Sequence, residues 1–124
     1  MNRIVIVDDH AAFRKWARTL LAADGFSIVG EAVDGASAVA EVLAVRPDVV
    51  LLDVQLPDAN GFEVADALLT AWPEPAIVLT SSRDSSAYQD DLARTGLPFV
   101  AKEELTGSAI RLLMTGGAAC PGDG

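Results

Sequence analysis

Residues 8–10 read Asp-Asp-His and follow directly on the apolar run Ile4-Val5-Ile6-Val7. Two adjacent carboxylates at the mouth of a buried segment repel each other and are costly to desolvate, so something positive should offset them. Asp53 closes a second apolar run, Val49-Val50-Leu51-Leu52; Thr80-Ser81 follows Ala76–Leu79, and Lys102 follows Phe99–Ala101. Brought to one place, the three carboxylates would favour a divalent cation with oxygen preference, of which magnesium is the common choice. Lys102 would add a second positive group and Thr80 a hydroxyl donor. Together they form a cradle for a phosphoryl group: the cations neutralise its oxygens, the hydroxyl donates to one of them, and a carboxylate can act as nucleophile. Taken singly, each residue has a plainer reading. An Asp after a strand usually caps a helix, Thr80 is an ordinary strand residue, and Lys102 a surface lysine. His10, the single histidine, reads as a solvated turn residue and is assigned as neither ligand nor base.

The segments that must position these residues alternate. The apolar runs Ile4–Val7, Ser27–Val29, Val49–Leu52, Ala76–Leu79 and Phe99–Ala101 read as strands. Between them, Phe13, Trp16, Ala17, Leu20 and Leu21 keep a helical spacing, with Trp16 expected in the core or at its margin; Ala36, Val39, Ala40, Leu43 and Ala44 repeat that spacing, as do Phe62, Ala65, Leu68 and Leu69. A fourth helix is expected over residues 85–94, and a fifth over 103–114, with Leu105, Ala109, Leu112 and Leu113 on one side and Gly107 weakening its first turn. Five strand–helix units imply a five-stranded parallel sheet with helices on both faces, an open doubly wound α/β fold. In such sheets ligands bind beyond the C-terminal ends of the strands, where Asp8, Asp9, Asp53, Thr80 and Lys102 all fall.

The totals fit. A chain of 124 residues, 51% apolar and 22% charged, is one domain with a real core. The expected division is a domain over 1–114 and a flexible tail over 115–124. A net charge of −9 argues against gripping nucleic acid through its phosphates. No apolar run is long enough for a membrane span, and no signal peptide is read. Cys120 is alone, which fits a reducing cytoplasm.

These motifs, in this order, resemble the CheY-like receiver domain of bacterial two-component response regulators: Asp8-Asp9, Pro47 through Asp53, Leu56-Pro57, Gly61, Thr80-Ser81, Phe99 and Lys102. The stretches "VDDHAAFR" and "VGEAVDGASAV" are most similar to the NarL/FixJ subgroup. The resemblance implies that Asp53 accepts a phosphoryl group from a sensor histidine kinase or phosphotransfer protein. Asp9, Asp53 and the carbonyl of Gln55 would bind magnesium directly, and Asp8 through water. Thr80 and Lys102 would contact the phosphoryl oxygens, and Phe99 would be the switch aromatic. Output would pass to a partner or a second copy through the face of helix 4, strand 5 and helix 5. The chain would be stand-alone or isolated from a transcriptional regulator, and not an enzyme beyond its own phosphorylation and dephosphorylation. Helix 1, near Phe13, is where receivers usually meet kinases. Two positions depart from the common pattern: Glu103 where a proline often follows the lysine, and Pro98 just before Phe99.

A phosphohydrolase of the haloacid dehalogenase type would also use a strand-end Asp with magnesium. It needs a second Asp two residues on, where this chain has Gln55. A flavodoxin-like flavin site would need a phosphate loop after the first strand, where the sequence Asp-Asp would repel one. A degenerate receiver acting only as a binding module is the remaining alternative.

Overall fold

A computed structural model of the chain describes residues 2–114. The tail expected over 115–124, with Cys120, lies outside the described residues. Five strands, β1 (Arg3–Val7), β2 (Ser27–Ala32), β3 (Val49–Asp53), β4 (Ala76–Ser81) and β5 (Phe99–Ala101), form one parallel sheet in the order β2-β1-β3-β4-β5. The helices are α1 (Ala11–Ala23), α2 (Gly35–Val45), α3 (Gly61–Ala71), α4 (Gln89–Thr95) and α5 (Gly107–Met114). The expected doubly wound architecture is present.

Strand alternation divides the core in two. Val5, Val7, Val50 and Leu52 pack with Ala38, Val42, Phe62 and Leu68 of α2 and α3. Ile4, Ile6, Val49 and Leu51 pack with Ala17, Leu21 and Ile110 of α1 and α5. Residues Val49 to Leu52 are all fully buried, as a strand covered on both faces requires. Side-chain caps start α2 and α3: Asp34 receives the Ser37 amide at α2, and Asn60 the Glu63 amide at α3.

Several local expectations are corrected. The second strand continues to Ala32, so Glu31 lies within it. The buried face of α2 is Gly35, Ala38 and Val42, not the stripe through Ala36 and Ala40; the helix is apolar nearly all round, so spacing alone could not select its face. Trp16 is 47% exposed. The fourth helix begins as a 3-10 turn over Ser85–Tyr88.

The fifth helical segment is two pieces. A 3-10 turn, Lys102–Glu104, is followed by buried Leu105, and α5 starts only at Gly107, where the Thr106 hydroxyl receives the Ala109 amide. Gly107 thus opens the helix. Its amide donates to Asp24 Oδ2 at 2.8 Å, and a Cβ there would stand 2.3 Å from Asp24 Cβ. Ile110 is the buried anchor of α5, while Leu112, expected on the inner side, is 70% exposed.

Candidate functional site

Strands β1 and β3 are neighbours at the centre of the sheet, but the chain leaves β1 toward β2 and β3 toward β4. The crevice outside their C-terminal ends is the switch point of the sheet. Asp8 and Asp9 follow β1 and Asp53 ends β3, so the three carboxylates meet there. Asp8 is fully buried and Asp53 is 3% exposed, while Asp9 lies at the rim. One ligand atom each from Asp8, Asp9, His10 and Asp53 falls within 4.8 Å of the others. The three carboxylates are hard, acidic and partly desolvated donors, and they fit a divalent cation.

Lys102 enters from the end of β5. Its Nζ stands 2.6 Å from Asp8 Oδ2 and 3.4 Å from Asp53 Oδ2. The contact to Asp8 is an ion pair without hydrogen-bond alignment, since Oδ2 is otherwise unpartnered. The ammonium also lies 4.4 Å from the centre of the Phe13 ring, which holds it against α1. Asp8 Oδ1 accepts from the His10 amide at 2.8 Å. Asp53 Oδ1 accepts from the Gln55 amide at 3.1 Å. Burial pushes the Asp53 carboxyl up from 3.8 to about 6, with the Asp8 charge adding to the rise and the Gln55 amide and Lys102 opposing it.

The loop after Asp53 folds back tightly. Val54 donates to Thr80 O at 2.9 Å, Gly61 donates to Val54 O at 2.6 Å, and Gln55 bridges to Asn60. A Cβ on Gly61 would lie 2.6 Å from the Asp53 carbonyl oxygen, so only glycine allows this approach. Asp58, on the same loop, receives the Gly35 and Ala36 amides at 2.7 and 3.1 Å and so ties the loop to α2.

Thr80 is aligned with Asp53 in the β3–β4 register, and its Oγ1 is buried with no hydrogen-bond partner. Ser81 Oγ lies 3.0 Å from the Tyr88 hydroxyl, and the Tyr88 ring stands between Phe62 and Phe99, at 6.1 and 6.0 Å. Phe99 is half-buried.

Sequence reasoning missed Tyr88, Asp58, Arg14 and the contact of the exposed His10 ring with Asp8 and Asp9. Arg14 donates to the Asp8 carbonyl at 2.6 Å and pairs with Glu31, which Arg18 also holds.

Residues 4–106 match the model of the response regulator receiver domain. The chain belongs to the response regulator receiver domain family. The receiver is 40% identical over 105 residues to the DNA-binding transcriptional activator DevR/DosR of Mycobacterium tuberculosis, covering 83% of this chain and 48% of that protein. It is 39% identical over 108 residues to a protein-glutamate methylesterase/protein-glutamine glutaminase of Anaeromyxobacter dehalogenans, covering 86% of this chain and 31% of the relative. The chain therefore spans half or less of the length of these relatives. Among solved structures it is similar to the signal receiver domain of the response regulator NarL from Mycobacterium tuberculosis, with TM-score 0.74 and 31% identity over 98% of this chain and 96% of that one. The NarL-like character expected from the first strand and the Glu31 region is thus present in a structural neighbour.

Proposed function

We propose that this receiver takes a phosphoryl group on Asp53 from a sensor histidine kinase or phosphotransfer protein and passes the change to a partner or a second copy of itself. The supporting observation is the pairing of Asp53 with an orphaned donor one strand away. A buried hydroxyl without a partner is costly, and Thr80 Oγ1 is such a group beside Asp53. A phosphoryl oxygen on Asp53 would give it an acceptor.

In the transfer, an Asp53 carboxylate oxygen forms a bond to phosphorus as the phosphorus–nitrogen bond of the donor histidine breaks. The leaving imidazole keeps the electron pair and takes a proton. The Gln55 amide holds one Asp53 oxygen, while Lys102, on the other, lies ready to neutralise the phosphoryl oxygens. Asp9, Asp53 and the Gln55 carbonyl would hold magnesium directly, and Asp8 through water. The ion supplies charge neutralisation when bound. Asp8 fixes Lys102 and carries the negative charge that a cation would balance.

Readout runs from Thr80 and Ser81 through Tyr88 to Phe99, and so to the face of α4, β5 and α5. The acidic surface favours a protein partner over nucleic acid. No described helix is long and apolar enough to cross a membrane, and a cytoplasmic signalling role is the reading that fits. The receiver is a phosphoacceptor and not an enzyme beyond its own phosphorylation and dephosphorylation.

Intact-mass spectrometry after incubation with magnesium and acetyl phosphate tests the reading. One added phosphoryl group is expected, absent in Asp53→Asn and absent without magnesium. No addition, or addition that survives Asp53→Asn, would overturn it and leave a receiver fold acting as a binding module.

A further inference from the structure

Lys102 is the cation that meets the phosphoryl oxygens in the proposed transfer, and the two carboxylates alone do not fix where it stands. Its ammonium lies 2.6 Å from Asp8 Oδ2 and 3.4 Å from Asp53 Oδ2, and only the longer contact has hydrogen-bond alignment. Lysine is a point charge on a flexible four-carbon stem, so charge attraction by itself sets its position loosely. Yet the side chain is only 16% exposed. One surface that covers it is the Phe13 ring: Nζ lies over the ring, 4.4 Å from its centre.

The ring is itself held. Phe13 is the third residue of α1 and packs against the core that contains Ile4, Ile6, Ala17 and Leu21. One helical turn on, the Trp16 ring stands 5.8 Å from it at 43°. A ring face attracts an ammonium through its quadrupole. It brings no net charge and no acceptor oxygen. It therefore localises Lys102 without competing with a phosphoryl group for the ammonium's N–H donors. A third carboxylate in the same place would compete for them and would repel the incoming phosphate.

We propose that Phe13 is a positioning residue for the transfer: its ring face, against the Lys102 ammonium, keeps the lysine beside Asp53 Oδ2 and free to neutralise the phosphoryl oxygens. The proposal rests on the reading of Asp53 as phosphoacceptor. A cation already in place need not be recruited as charge develops, so the contribution of Phe13 falls on the transfer step. Magnesium binding, which uses oxygen donors, does not draw on the ring.

The experiment compares the unsubstituted full chain with Phe13→Leu, which keeps an apolar side chain, and Phe13→Tyr, which keeps the ring. Acetyl phosphate with magnesium is the donor, so contact between α1 and a kinase plays no part. The lysines are Lys15, exposed on α1, and Lys102, and their ε-methylene signals are followed by NMR before the donor is added. In the unsubstituted chain the Lys102 ε-protons are expected upfield of those of Lys15, shielded by the ring face. Phe13→Leu should abolish that displacement and lower the maximal phosphorylation rate about two- to tenfold, with the magnesium midpoint unchanged. Phe13→Tyr should retain both the displacement and the rate. Equal rates in Phe13→Leu and the unsubstituted chain, or a Lys102 signal no more shielded than that of Lys15, would overturn the role of Phe13 and leave Asp53 as acceptor. No phosphoryl group on the unsubstituted chain would overturn the acceptor reading, and the positioning role with it.

Discussion

Lys102 belongs to Asp8 more than to Asp53: its ammonium stands 2.6 Å from Asp8 Oδ2 and 3.4 Å from Asp53 Oδ2. The deepest carboxylate anchors the lysine, and Asp53 is left with weaker compensation. This is why burial still pushes the Asp53 carboxyl up to about 6 with a cation nearby.

Lys102→Met should therefore act mainly through Asp8. Removing one partner of a buried pair leaves the other charge uncompensated, at a cost of about 3 kcal/mol near neutral pH. Urea denaturation checks this, and Asp8→Asn in the same chain should recover most of the loss. An equal loss with Asp8→Asn present would contradict the pairing.

Asp53 makes the fold sensitive to pH. Its folded pKa of about 6 exceeds the ordinary 3.8, so the folded chain binds more protons between those values. The stability it contributes is fully present below 3.8 and is lost as pH rises through about 6. Asp53→Asn should stabilise the magnesium-free chain at pH 7.5 by up to about 3 kcal/mol, with the gain vanishing near pH 3.5. A gain independent of pH would contradict the assignment.

Magnesium should relieve the same repulsion. At a hundred times its dissociation constant it should add about 2.7 kcal/mol, seen as a higher melting temperature. Asp9→Asn should remove most of that rise, and chelation should reverse it. A melt indifferent to magnesium in the unsubstituted chain would contradict the cation site.

Two glycines separate crowding from backbone strain. Gly61→Ala places a methyl 2.6 Å from the Asp53 carbonyl and 2.8 Å from Val54 Cα, backbone atoms that cannot swing aside. It should cost about 1–3 kcal/mol and slow phosphorylation by displacing Asp53. Gly96 has φ +68° and open space around it, so Gly96→Ala should cost about 1 kcal/mol with phosphorylation unchanged.

Tyr88→Phe keeps the ring between Phe62 and Phe99 but removes the hydroxyl 3.0 Å from Ser81 Oγ. The expected loss by denaturant titration is about 1 kcal/mol. A negligible loss would show that Ser81, which still accepts from the Arg83 amide, needs no second partner.

The sequence by itself determined the alternating units, the fully buried third strand and the five strand-end groups, because burial and chain direction leave a local periodic mark. The caps at Asp34 and Asn60 came only with the fold. The tertiary structure decided which strands stand side by side. Only the β1–β3 adjacency brings Asp8 to Asp53, and only the return of β5 brings Lys102, 49 residues from Asp53, to both. It likewise chose the buried face of the evenly apolar α2, held the start of α5 back to Gly107 against Asp24, and set the exposed His10 ring against Asp8 and Asp9. These outcomes depend on contacts between residues far apart in the chain, and such contacts leave no period in the sequence.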